Sequence, residues 1–176
     1  MNNLKNEYLE KLQSIKQLKL VIVGQDPYPV GANGIAFCKN TFSELEDFRC
    51  CGKDVLHSLG IDLEQAKNEF STPIELFMDL LDQGIAFINV NHELFSANSN
   101  VEKYIDYNNQ FLSKADKIVV FGLSTAKTAF LQHYSNYSNV SYLIHPSGRN
   151  KNSIPEQWNT IWANTYLKNN YLTNNK

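Results

Sequence analysis

An apolar run, Leu18-Lys-Leu-Val-Ile-Val-Gly24, stops at a carboxylate held between Gln25 and Pro27 in the segment Gln25-Asp26-Pro27-Tyr28-Pro29. A buried strand has no use for an acid at its carboxyl end, and in open α/β sheets that end faces the ligand crevice. Proline after Asp26 biases that residue out of the helical region and fixes the next φ, so the loop presents its acid in one shape. A carboxylate held this way is equipped for acid–base or electrostatic work, and Asp26 is the first catalytic candidate. The competing reading is a turn, because Asp-Pro commonly initiates one.

Other constellations that could carry chemistry are incomplete. Gly122-Leu-Ser-Thr-Ala-Lys127-Thr128 mimics a phosphate loop but lacks the glycine before the lysine, so triphosphate binding is rejected and Ser124 reads as a helix N-cap. His92-Glu93 has no Pro-Cys-x-x-Cys after it, which removes the metal site of a zinc deaminase. His57 and His133 lie in helical, mixed surroundings and read as structural. Cys50 and Cys51 are adjacent and no C-x-x-C pair exists, so the three cysteines read as reduced packing thiols, neither a zinc site nor a disulfide framework. The sequons at Asn136 and Asn139 carry no message in a cytosolic chain.

These residues need a frame, and the chain alternates helical and strand patterns in the manner of a parallel sheet covered on both faces. Leu4, Tyr8, Leu12 and Ile15 recur at helical spacing from Asn3 to Gln17. Strand patterns follow at about 19 to 23, 35 to 38, 85 to 89, 117 to 121 and 140 to 144, with helices near 73 to 82, 104 to 114 and 124 to 134. Thr72-Pro73 supplies an N-cap and a first-turn proline, and Gly84 is placed to end that helix. A last helix from Pro155 to Tyr166 would turn Trp158, Ile161, Trp162 and Thr165 to one side as packing. The expected fold class is α/β: a three-layer α/β/α sandwich around a central, mostly parallel sheet of about four strands. With 176 residues, 43% of them hydrophobic, one domain spanning 1–176 is expected, its tail from 168 to 176 frayed. No run approaches a membrane span and the start lacks a charged and then apolar leader, so a cytoplasmic location is expected.

Gly24-Gln25-Asp26-Pro27-Tyr28 is narrower than a generic turn and resembles the water-activating loop of the uracil-DNA glycosylase family. Three further segments are similar to motifs of that family in the same order: Gly34-Ile-Ala-Phe37-Cys, Gly84-Ile-Ala-Phe-Ile-Asn89 and His145-Pro146-Ser147. Between the last two, Lys117-Ile-Val-Val-Phe-Gly-Leu-Ser124 resembles the strand and helix start before the His loop. The likeness spans roughly residues 18 to 165, and four ordered motifs make coincidence improbable.

The resemblance implies a monofunctional hydrolase that breaks the N-glycosidic bond of deoxyuridine in DNA, the first step of base-excision repair. Asp26 would stabilise the cationic sugar and orient water, while neutral His145 donates to O2 of the departing uracil anion. The backbone N–H of Gln25 is a second donor to O2. Asn89 would accept from N3–H and donate to O4, a pattern that cytosine reverses. Phe37, in a short strand, would stack on the flipped base, and Tyr28 would fill the space of a thymine methyl. No metal or cofactor is needed. The implied partners are uracil-containing DNA, with single strands favoured, and a proteinaceous DNA mimic as inhibitor; no membrane partner is expected, and the protein is expected to be a monomer.

Departures fall on the DNA-facing loops. Pro29 stands where the bacterial and animal enzymes have His, and Arg149 replaces an intercalating Leu; both features resemble the poxvirus members of the family. The proline-rich loop that compresses the DNA backbone has no counterpart, because residues 40 to 59 are acidic and cysteine-bearing. Formal charge is −2 with a pI near 6.1, so any grip on phosphates is local. Ser147, Arg149, Ser124 and Lys127 are the DNA-binding candidates, and Lys151 and Lys39 would join Arg149 and Lys127 in a basic rim beside the His loop. Taken singly, each cation also reads as a scattered solvated charge. The main alternative function is a divergent, DNA-bound scaffold or partner-recruiting protein that keeps the pocket; a weaker one is a glycosylase for another damaged base.

Overall fold

The computed structural model describes residues 2–25, 27–92, 101–122 and 125–145. Four strands form a wholly parallel sheet: β1 (Leu20–Gly24), β2 (Ile85–Asn89), β3 (Ile118–Phe121) and β4 (Val140–Leu143), in the order β2-β1-β3-β4. Every residue of β1, β2 and β3 is buried, so both faces are covered, as their near-continuous Val/Ile/Leu/Phe composition requires of a parallel sheet. The helices are α1 (Asn2–Ser14), α2 (Phe42–Glu46), α3 (Gly52–Ser58), α4 (Leu63–Glu69), α5 (Pro73–Asp82), α6 (Ile105–Leu112) and α7 (Thr125–His133). The chain is thus an α/β protein with helices flanking a parallel sheet, the expected class. No helix among the described residues is long and apolar enough to cross a membrane.

Local sequence accounts for the elements. The Thr72 side chain accepts from the Glu75 N–H at 3.3 Å and Pro73 opens α5, which buries Ile74, Phe77, Leu80 and Leu81. Phe77 meets Phe87 of β2 with ring centroids 4.5 Å apart. Gly84 then takes φ +86°, a left-handed turn that feeds the chain from α5 directly into β2.

Because β1 moves to one neighbour and β3 lies on its other side, chain connections diverge above the carboxyl ends of the central strands, where open sheets form a crevice. β2 is one of the two edge strands, yet its residues are buried. Tyr8 from α1 covers it: the hydroxyl accepts from the Phe87 N–H at 2.9 Å and donates to the Phe87 carbonyl at 3.4 Å. An edge covered by a helix and its polar side chains offers no template for another strand.

Two expectations change. Residues 35 to 38 do not form a strand: Phe37 has φ +64°, which no ladder accommodates, and polar groups bond locally, Ile35 N–H to Asn33 Oδ1 at 3.1 Å and Cys38 N–H to the Ile35 carbonyl at 3.3 Å. Between 40 and 69, where only the surroundings of His57 are expected to be helical, there are three helices, and His57 lies in α3. Thr41 and Glu44 form a reciprocal capping box on α2, and the Asp62 carboxylate accepts from the Glu64 and Gln65 N–H groups to start α4. The helix expected at 155–166 and the frayed tail at 168–176 lie outside the described residues.

Candidate active site

A cavity of about 280 Å³ lies at the carboxyl ends of the strands, lined by Gly24, Gln25, Pro27, Tyr28, Phe37, Cys51, Asn89 and His145 among others. β1 delivers Gly24 and Gln25, β2 ends on Asn89, and His145 follows β4 by two residues. The Gly122 N–H donates to the Leu143 carbonyl at 2.7 Å and ties the β4 end, and so the approach to His145, to the end of β3. Gln25, Tyr28, Phe37, Asn89 and His145, four separate segments of the sequence, are thereby brought around one space.

Two glycines make the wall possible. A Cβ on Gly24 would sit 2.7 Å from Asn89 Oδ1 and 3.3 Å from Phe37 Cε2, so the bare backbone of β1 lets the amide and the ring come close together. At Gly52, the start of α3, a Cβ would lie 2.0 Å from the Phe37 carbonyl oxygen. The unusual backbone of Phe37 is therefore braced directly by a helix end. Its ring packs edge-on against Phe121 at 5.4 Å and stands 6.3 Å from the His145 ring.

Tyr28 is a fixed partition. Its hydroxyl accepts from the Gly52 N–H at 3.1 Å and lies 3.1 Å from Cys50 Sγ, while Lys39 Nζ sits 4.0 Å over the ring. Burial, then the neighbouring Cys50, pushes the phenol well above its ordinary range, and burial pushes the Cys51 thiol up to about 12. Both stay uncharged near neutrality, so this side of the cavity suits a neutral ring. Asn89 is 3% exposed and lines the cavity. An amide at a cavity wall offers both a donor and an acceptor to a complementary edge. An aromatic face, an amide and an imidazole around a small cavity can bind a planar, hydrogen-bonding ring and act on it.

Other expected residues stand apart or fall elsewhere. Asp26 lies outside the described residues, although its neighbours Gln25 and Pro27 both line the cavity. Ser124, Ser147, Arg149 and Lys151 also lie outside them. Lys127, on α7, places its ammonium 5.2 Å from the Tyr142 ring centroid, and Lys39 Nζ donates to the Val30 carbonyl at 2.6 Å. Lys39 lines an adjoining groove with Glu44, Asp47 and Arg49. Cys51 is an addition: its sulfur is 3.9 Å from His145 Nδ1. Nothing in the sequence marks it, since it reads as a packing thiol and its closeness to His145 arises only when α3 docks under Phe37.

Comparison with protein-family models finds no match, and comparison with curated proteins finds none either.

Proposed function

We propose that this protein is a uracil-DNA glycosylase that flips deoxyuridine out of DNA and hydrolyses its N-glycosidic bond. The observation that carries the reading is the convergence of Gln25, Tyr28, Phe37, Asn89 and His145 on one cavity. Its volume, about 280 Å³, is at the small end of ligand pockets, which run from roughly 300 Å³, and so suits a single ring better than a nucleotide. Phe37 offers a face for the ring. Asn89 reads N3 and O4: its oxygen accepts from N3–H and its NH₂ donates to O4, while cytosine would leave both ends mismatched. Tyr28 is held rigidly enough to exclude a methyl at C5. His145, neutral, donates to O2 as the base leaves with the bonding electron pair, and the Asp26 carboxylate stabilises the oxocarbenium sugar and orients the water that attacks C1′. That water gives its oxygen to C1′ and one proton to the uracil anion, leaving an abasic site.

The test is incubation with uracil-containing single- and double-stranded oligonucleotides followed by alkaline cleavage. Strand breaks at uracil positions are expected in the presence of EDTA, and Asp26→Asn and His145→Ala should each slow single-turnover release by roughly 10² to 10⁴ fold. Folded protein that releases no uracil from either substrate would overturn the reading and leave the DNA-bound scaffold.

A further inference from the structure

Asn89 ends the edge strand β2, and what holds that end is polar. Asn108, on α6, is 1% exposed and lies in the buried phase of its helix with Phe111 and Leu112. Packing alone would favour an apolar side chain there, because a buried amide is costly unless bonded. This one is fully engaged. Its Nδ2 shares two hydrogens among three acceptors, the Asn89 carbonyl at 3.2 Å, the Val90 carbonyl at 3.1 Å and the Tyr134 hydroxyl at 3.1 Å. These carbonyls only accept, so the NH₂ end must face β2 and Oδ1 must face away. Oδ1 lies 3.0 Å from His92 Nε2, which therefore carries its proton, and the His92 ring is clasped by Tyr104 at 4.7 Å and Tyr107 at 4.9 Å. On the opposite side the Val90 and Asn91 N–H groups donate to the Gly24 and Gln25 carbonyls at 2.9 and 3.0 Å.

We propose that Asn108 is a positioning residue for base discrimination: by gripping the Asn89 and Val90 carbonyls, which belong to the successive 89–90 and 90–91 peptides, it sets the angle at which Asn89 enters the cavity. The inference rests on the glycosylase reading of that cavity. A hydrogen-bonding edge discriminates strongly only where its groups cannot shift to suit the wrong base. Misplacing a recognition group by about 1 Å costs on the order of 10²-fold. With β1 on one flank and the Asn108 amide on the other, the strand end is held from both sides.

The experiment is a double-mutant cycle on uracil release, using Asn108→Leu, Asn89→Ala and the pair. Asn108→Leu should lower kcat/KM for uracil by roughly 10- to 100-fold and narrow the preference over cytosine, yet add little in the Asn89→Ala background. Equal effects in both backgrounds would reduce Asn108 to a fold-supporting residue. Asn108→Asp keeps the shape and the His92 acceptor but loses the donors, so it should repeat the coupling should the Leu variant fail to fold. Amide hydrogen exchange gives a readout independent of catalysis: the Val90 and Asn91 N–H groups should exchange about tenfold faster in either variant. Unchanged exchange at both would overturn the clamp. A wild-type protein that releases no uracil overturns the glycosylase reading instead, and exchange still decides whether Asn108 holds the strand end.

Discussion

Gly24→Ala is the smallest change that should separate the cavity from the fold. Gly24 closes β1 in extended backbone, where alanine is intrinsically favoured over glycine by about 0.5–1 kcal/mol. The added methyl would lie 2.7 Å from Asn89 Oδ1, 3.3 Å from Phe37 Cε2 and 3.4 Å from Ala36 Cβ. The contact to Ala36 is ordinary and that to Phe37 is tight, so the ring must give by a few tenths of an ångström, but the 2.7 Å approach makes the amide of Asn89 the group that must move most. Overpacking of this size costs about 1–3 kcal/mol, and the strand preference offsets part of it, so the net loss of stability should be within about 2 kcal/mol. Activity should suffer more. Turning the amide by about 1 Å should cost on the order of 10²-fold in uracil release, with cytosine rejection eroded as well. Urea denaturation and single-turnover release on the same preparation check the two numbers together. A folded variant with wild-type rate and selectivity would refute the close approach of Gly24 to a base-reading Asn89.

Three further outcomes follow from other contacts. Tyr8→Phe leaves the Phe87 N–H and carbonyl without their partner on the buried edge of β2, which should cost about 1–3 kcal/mol by denaturant titration; a loss under about 0.3 kcal/mol would contradict the role given to Tyr8. Tyr28→Ala should admit thymine, whereas Tyr28→Phe, which keeps the ring and loses only the hydroxyl contacts to Gly52 and Cys50, should still reject it; identical behaviour of the two variants would remove Tyr28 from discrimination. Burial raises both the Cys38 and Cys51 thiols to about 12, so folding favours their protonated forms. The stability they support is intact below the unfolded thiol value of about 8.5 and drains away as pH climbs toward 12; a denaturation midpoint that stays flat across that window would contradict the burial of these thiols.

Much of the frame was legible because it rests on local patterns. Continuous apolar runs mark β1, β2 and β3, the only kind of strand that a sheet buried on both faces accepts, and Thr72-Pro73 with Gly84 bounds α5 at both ends. Of the helices between 40 and 69, only the one around His57 is foreshadowed in the sequence, although Thr41-Phe-Ser-Glu44 is a capping box. They are short, and short helices owe their stability to docking more than to propensity. Residues 35 to 38 misled for the opposite reason. Gly34-Ile-Ala-Phe37-Cys has strand-forming residues, but its conformation is dictated by Gly52 pressing on the Phe37 carbonyl from a distant segment, and tertiary contact overrides β-propensity readily.

By itself, then, the amino-acid order determined the fold class and the elements that deliver Gly24, Gln25 and Asn89, while the residues expected around a pocket followed only from the resemblance of four motifs to a known family. The first two are consequences of periodicity, caps and strand ends, all encoded within a dozen residues. Only the tertiary structure decided that five of the candidates share one space, that Lys39 belongs to a neighbouring groove, that Cys51 approaches His145, and that Tyr8 and Asn108 bond the outer side of β2 and its end. Each of these depends on the docking of segments tens of residues apart, where a glycine's missing methyl or an amide's donor end acquires meaning only from the atom it meets.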